Sequence, residues 1–189
     1  MACVVAERTM PAPVTADQVR RSIRDGTWCN DLYGLAHLGS LLGPDGRALI
    51  CFYRATDAEA VRSASRHWTM PHDRIWSATL HGPRDSPAAA DPLTAWAPPR
   101  ETDDAPSETV LVSRAFEAPM VFEDLQAQED SQAWCLQSYR VRFLQSLFSL
   151  DRRRMLCLYA APDAESVRHA QRGAGLPFEK IWTATICRA

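Results

Sequence analysis

Histidine, glutamate, cysteine and tyrosine are the side chains of this sequence that could hold a metal or move a proton. Four of its five histidines, His37, His67, His72 and His81, lie in the first half, and His169 lies in the second. Imidazole and carboxylate suit nickel, copper or zinc, so Glu7, His37 and His81 are candidate ligands of a divalent metal. The trio His81, Glu7 and Tyr53 equally suits proton transfer, with His81 as the base and Glu7 orienting it. The same histidines also fit ordinary hydrogen-bonded roles, and His67 and His72 read as a solvated pair flanking a loop. Six cysteines are present, none in a CxxC pair, which argues against a zinc ribbon or a thioredoxin-like site. They read as small buried thiols in a reducing compartment. No glycine-rich phosphate loop, GxSxG, HExxH or paired-carboxylate motif occurs.

The elements that must position these residues come in two copies. Cys51-Phe52-Tyr53 followed by Asp57-Ala58-Glu59 returns as Cys157-Leu158-Tyr159 followed by Asp163-Ala164-Glu165, 106 residues on. At that offset Val4 matches Val110, Arg8 matches Arg114, Trp28-Cys29 matches Trp134-Cys135, and Trp76 matches Trp182, with no gap. Self-similarity at a fixed offset over the whole length marks a duplication. The copies differ where chemistry could sit. The equivalents of His37, His67, His72 and His81 are Phe143, Gly173, Phe178 and Cys187, and Ser113 stands opposite Glu7.

Each copy reads as β-α-β-β-α-β. In the first, residues 3–8 alternate as a strand and 15–33 as one helix with Thr15 or Asp17 as cap. Residues 37–42 and 48–55 form a hairpin about Gly43-Pro44-Asp45-Gly46. Thr56 to Glu59 has capping-box spacing, and residues 74–81 close the unit as a strand. The second copy repeats this from 109, with one helix over 122–139 and one strand over 180–187 at its end. Val19, Ser22, Ile23, Gly26, Cys29 and Tyr33 share a stripe of the first helix, with Trp28 opposite. Residues 1–82 and 108–189 are thus two modules, and the proline-rich segment 83–107, which holds Trp96, is a linker. The expected fold class is α+β: two tandem ferredoxin-like (βαββαβ) modules forming a pseudo-dimeric α/β barrel.

Strand alternation assigns Ile50, Phe52, Trp76, Ala78 and Leu80 to the helix-covered face. Cys51, Tyr53, Thr79 and His81, with Glu7, fall on the opposite face, as do Cys157, Tyr159 and Thr185 in the second copy. A polar, uncharged face of this kind suits a lumen between two sheets, a natural small-molecule pocket. Trp28 and Trp134 either wall that pocket or pack at module surfaces. The charge balance is 21 basic to 23 acidic residues with no basic stripe, which argues against nucleic acid or an anionic membrane as partner. The N-terminal residues do not read as a secretory signal, so a cytoplasmic location is expected.

Over residues 151–168 and 174–182, from Asp151-Arg152-Arg153-Arg154 through Cys157-Leu158-Tyr159 to Gly175-Leu176-Pro177, the chain resembles the DUF4242 family, which is similar to a small bacterial nickel-binding protein. The resemblance implies single ferredoxin-like modules that pair as dimers, and hence a chain carrying both halves as an intramolecular pseudo-dimer, with a homodimer as a further option. The nickel-binding members carry histidines in the first strand, where this chain has Glu7-Arg8 and Ser113-Arg114. The expected function is binding of a small ligand or a divalent metal (nickel, copper or zinc). An enzyme of cyclase, isomerase or oxygenase type, or a protein-interaction module without a ligand, stands as the alternative.

Overall fold

The computed structural model describes residues 1–83, 108–131 and 133–188. The expected linker at 83–107, with Trp96, lies outside the described residues apart from Pro83. The first repeat holds β1 (Ala2–Thr9), α1 (Ala16–Asp25), α2 (Thr27–Leu32), β2 (Ala36–Leu42), β3 (Ala48–Ala55), α3 (Ala58–His67) and β4 (Arg74–His81). The second holds β5 (Glu108–Ala115), α4 (Phe122–Ser131), α5 (Ala133–Ser138), β6 (Arg142–Ser149), β7 (Arg154–Ala161), α6 (Ala164–Gly173), β8 (Lys180–Thr183) and β9 (Thr185–Cys187). None of the described helices is long and apolar enough to cross a membrane.

Three elements differ from expectation. The helix anticipated over 122–139 is divided into α4 and α5. The helix anticipated over 15–33 is likewise two helices, because Gly26 caps α1 and starts α2 in one position. Its missing side chain weakens helix propagation there. The last strand divides at Ala184. β8 pairs with β5, whereas β9 pairs with β2, placing Ser40 opposite Cys187. Compact units therefore do not follow the repeat boundary: unit 1 comprises residues 1–79 with 184–189, and unit 2 comprises 80–183.

In unit 1 the sheet runs β4-β1-β3-β2-β9 and every pairing is antiparallel. Thr15 caps α1 in a capping box with Gln18, and Asp57 caps α3 by accepting from the Ala60 amide. Asp57 rather than Thr56 is thus the cap; its carboxylate reaches the free amides of the first turn. Val4, Ala6, Leu49, Cys51, Tyr53 and Ile75 form a core with Val19, Cys29, Val61 and Ala64 of the helices. In unit 2 the order is β8-β5-β7-β6, and Val110, Val112, Cys157 and Tyr159 pack against Leu125, Val167 and Ala170.

The helix-covered face is therefore the one carrying Cys51 and Tyr53, opposite to the assignment made from alternation. Ile50 and Phe52 are buried too, at 7% and 2% exposure. A strand buried on both faces has no polar side to reveal its orientation. Glu7 pairs across β1 and β3 with Ile50, so it lies on the face away from Cys51.

Without β9 the β2 edge loses its ladder and the cover that Cys187 contributes. A chain shortened to end at Thr183 is expected to lose about 2–4 kcal/mol of stability. Urea denaturation measures this, and amide exchange should quicken first at Ser40, Leu41 and Leu42.

Candidate functional site

In unit 1 a cavity of about 120 Å³ opens between the sheet and the helices α1, α2 and α3. Most of its wall is apolar: Val19 and Ile23 from α1, Cys29 from α2, Val61 and Ala64 from α3, and Leu49 from the sheet. The stripe on α1 and α2 faces this space, as Val19, Ser22, Ile23, Gly26 and Cys29 all line it. Gln18, which is exposed, and Asn30, which is half-buried, also border it. Against this background stand Arg8, His37, Ser40, Cys51, Tyr53 and Ser65.

Arg8 is the charged member of this set and is only 3% exposed. Its Nη1 donates to the Pro71 carbonyl at 2.7 Å, and Nη2 donates to Ser65 Oγ at 3.1 Å and to the Tyr53 hydroxyl at 3.4 Å. Its Nε is buried without a hydrogen-bond partner. Burial works against the guanidinium charge, but Cys51 and Tyr53 outweigh it and hold its pKa above the ordinary value. Burial, reinforced by the neighbouring Cys51, pushes the Tyr53 hydroxyl up, so it remains a neutral donor and acceptor.

A β-bulge brings His37 to the same place. His37 pairs with Tyr53 and Gly39 with Phe52, so one extra residue sits between them in β2. Regular alternation would put His37 on the face opposite Ser40; the bulge turns it back to the Cys51 face. Gly39 has φ 147°, a backbone setting that suits glycine. The imidazole Nε2 lies 2.9 Å from Ser40 Oγ, and its ring meets Tyr53 edge-on at 5.2 Å. Ser40 donates to Cys51 Sγ at 3.2 Å. Burial raises the Cys51 thiol, yet hydrogen bonding from His37, the charge of Arg8 and the Ser40 hydroxyl outweigh it and bring its pKa to about 6.

The second repeat keeps the frame and changes the chemistry. Arg114 is buried like Arg8, donates to the Pro177 carbonyl, and donates to Gln171 Oε1 at 2.6 Å. A carboxylate, Glu129, lies 3.4 Å from both Arg114 Nη2 and the Tyr159 hydroxyl. Phe143 takes the position of His37 and packs edge-on against Tyr159 at 5.7 Å. Burial pushes the Cys157 thiol up to about 11 although Arg114 opposes it.

Of the residues selected from sequence, the structure brings Cys51, Tyr53 and His37 together. Cys157 and Tyr159 are buried in the unit 2 core, while Thr79 and Thr185 are exposed. Trp28 is 50% exposed and packs edge-on against His67 and Trp68, and Trp134 is 62% exposed. His67, expected as half of a loop pair, ends α3 and meets the Tyr33 hydroxyl at 3.1 Å. Glu7, His37 and His81 are not assembled. Glu7 accepts from Trp76 Nε1 at 2.7 Å on the other face, and His81 stacks on Phe122 at 3.7 Å. Among the described residues no three of His, Cys, Asp and Glu converge as metal ligands. Arg8 was absent from the sequence selection. The signal that could have found it was its repetition as Arg114 at an inward strand position.

A family model described as nickel responsive protein SCO4226-like matches residues 5–77 and again residues 111–183. Among solved structures, SCO4226 from Streptomyces coelicolor A3(2) is 18% identical and aligns over 39% of this chain and 90% of its own, with a TM-score of 0.36. Chlorite dismutase from Candidatus Nitrospira defluvii in complex with imidazole is 9% identical over 98% of this chain and 91% of its own, with a TM-score of 0.53. A heme-binding protein from Thermus thermophilus is 8% identical over 98% of this chain and 90% of its own, with a TM-score of 0.51. At these identities the likeness to the chlorite dismutase and the heme-binding protein shows the fold alone, and, together with the repeated family match, it agrees with the α+β class and tandem modules expected from sequence. No curated protein matches the chain.

The thiols give the site a pH signature. Cys51 ionises near pH 6 when folded and near its ordinary value of 9.0 when unfolded. Between those values the unfolded chain binds more protons, so stability rises with pH across the window and the Cys51 contribution is lost below about 6. Thiolate absorbance of the folded protein should show a step centred near pH 6 that Cys51→Ser removes and Cys157→Ser leaves intact.

Proposed function

The chain belongs to the SCO4226-like nickel responsive protein family, and from that premise we propose that it binds a small organic ligand in the cavity of unit 1. The observation that carries this reading is the cavity itself, with an apolar wall and a few convergent polar groups at one end. A dry cavity of about 150 Å³ takes benzene. The cavity here, about 120 Å³ and partly open rather than enclosed, is on that scale, so it suits a ligand of about one aromatic ring or a short branched chain with one end at the mouth. Preorganised donors at the Arg8 end would orient it, because each is held by a second partner: Pro71 and Ser65 for Arg8, and Ser40 for His37.

Nickel, copper and zinc fit this site less well. His37 and Cys51 offer two donors, and catalytic zinc sites use three protein ligands with structural ones closed by four. No third His, Cys, Asp or Glu joins them among the described residues. A porphyrin does not fit either, since a cavity of benzene dimensions is far smaller than the macrocycle. A second reading, proton transfer on the bound ligand, is favoured by one observation: a thiol ionising near pH 6 beside an imidazole.

Titration with toluene, followed by amide chemical shifts, tests the ligand reading. Saturable shifts should map to α1, α2 and the Cys51 strand. Ser22→Phe, which fills the space from α1, should abolish them with the fold retained. Stoichiometric nickel in the purified protein that survives His37→Ala, with no toluene response, would refute the assignment.

A further inference from the structure

The two repeats share one buried arginine and resolve its charge in different ways. In unit 2 the Arg114 guanidinium has a carboxylate 3.4 Å away on Glu129, which α4 supplies. The equivalent position in unit 1, 106 residues earlier, is Ile23 on α1. Ile23 and Arg8 both line the cavity, and among the described residues Arg8 meets no carboxylate. Its Nε donor is left without a partner. Where Ile23 stands in place of that carboxylate, open space is lined by both Ile23 and Arg8.

The anion that answers Arg8 within the protein is the Cys51 thiol rather than a carboxylate, and a carboxylate matches the guanidinium fork better than a single sulfur does. From this we propose that the unit 1 cavity takes a small monocarboxylate with an apolar body of one-ring size. Its carboxylate meets Arg8 in the role that Glu129 plays for Arg114. The Tyr53 hydroxyl, 3.4 Å from Arg8, is placed to donate to the same group, as Tyr159 does to Glu129. The remaining wall, from Val19, Cys29, Val61 and Ala64, accepts the apolar body. This rests on the ligand-binding reading above and adds the charge and class of the ligand.

Benzoate and its neutral isostere benzamide, titrated into the full chain alongside toluene, test it. Benzoate should bind at least about tenfold tighter than benzamide, the difference between a charge-assisted and a neutral hydrogen bond. Ile23→Glu supplies from the protein the carboxylate that Glu129 supplies in unit 2. It should weaken benzoate by at least about tenfold, whereas Ile23→Gln, neutral and of equal length, should weaken it less. Equal affinities for benzoate and benzamide overturn the inference whether or not the variants fold, and so does unchanged benzoate affinity in a folded Ile23→Glu protein. Toluene binding without benzoate binding overturns the carboxylate inference and leaves the cavity reading standing. If none of the three binds, both fall.

Discussion

Each repeat is built around a buried guanidinium. Arg8 and Arg114 project from the first strand of their modules into the layer between sheet and helices, 3% and 2% exposed. Withdrawing such a charge from water costs several kcal/mol unless hydrogen bonds replace the lost hydration. Much of the local architecture follows from that requirement. The carbonyls of Pro71 and Pro177 are turned inward to accept from it, in the loops before β4 and β8. The α3 and α6 helices present a polar side chain at the same position of otherwise apolar faces, Ser65 in one and Gln171 in the other. The tyrosine of the central strand stays neutral beside it and completes the set.

With the frame held, substitutions around the arginine separate the repeats. Unit 2 adds Glu129 and Gln171 and places Phe143 against Tyr159. There the thiol of Cys157 is pushed up to about 11. Unit 1 has Ile23, Ser65 and His37 in those positions, and the thiol of Cys51 falls to about 6. The difference is a matter of which anion answers the arginine. Where the protein provides a carboxylate, the cysteine is buried and protonated. Where it does not, the thiol is drawn into that role, and a cavity remains for something else to fill. Duplication permits this division, because one copy can keep the frame while the other departs from it.

Much of this was legible in the residues. The offset repeat fixes two modules, and periodicity with turn and cap chemistry places most elements within a residue or two, the divided first helix of each repeat and the divided last strand excepted: β3 and β4 are as expected at both ends. Cys51, Tyr53 and His37 stood out by type and position. Three things were not legible. The orientation of the central strand was hidden because Ile50 and Phe52 are as buried as Cys51 and Tyr53. The aim of His37 depends on one bulged residue, and shifting a strand by one position exchanges its faces. The exchange of β9 to the β2 edge depends on pairing between residues far apart in the chain.

By itself, then, the sequence determined the elements, their duplication and the positions at which the copies diverge, since these depend on local propensity and on comparison of the chain with itself. Tertiary structure alone decided what the divergence means. The nearness of Ile23 to Arg8, of His37 to Cys51, and the open volume between them are set by packing across α1, β1, β2 and β3. No spacing along the chain encodes how close such groups come, because their separation is fixed by strand register, by a bulge and by the way helices settle on the sheet.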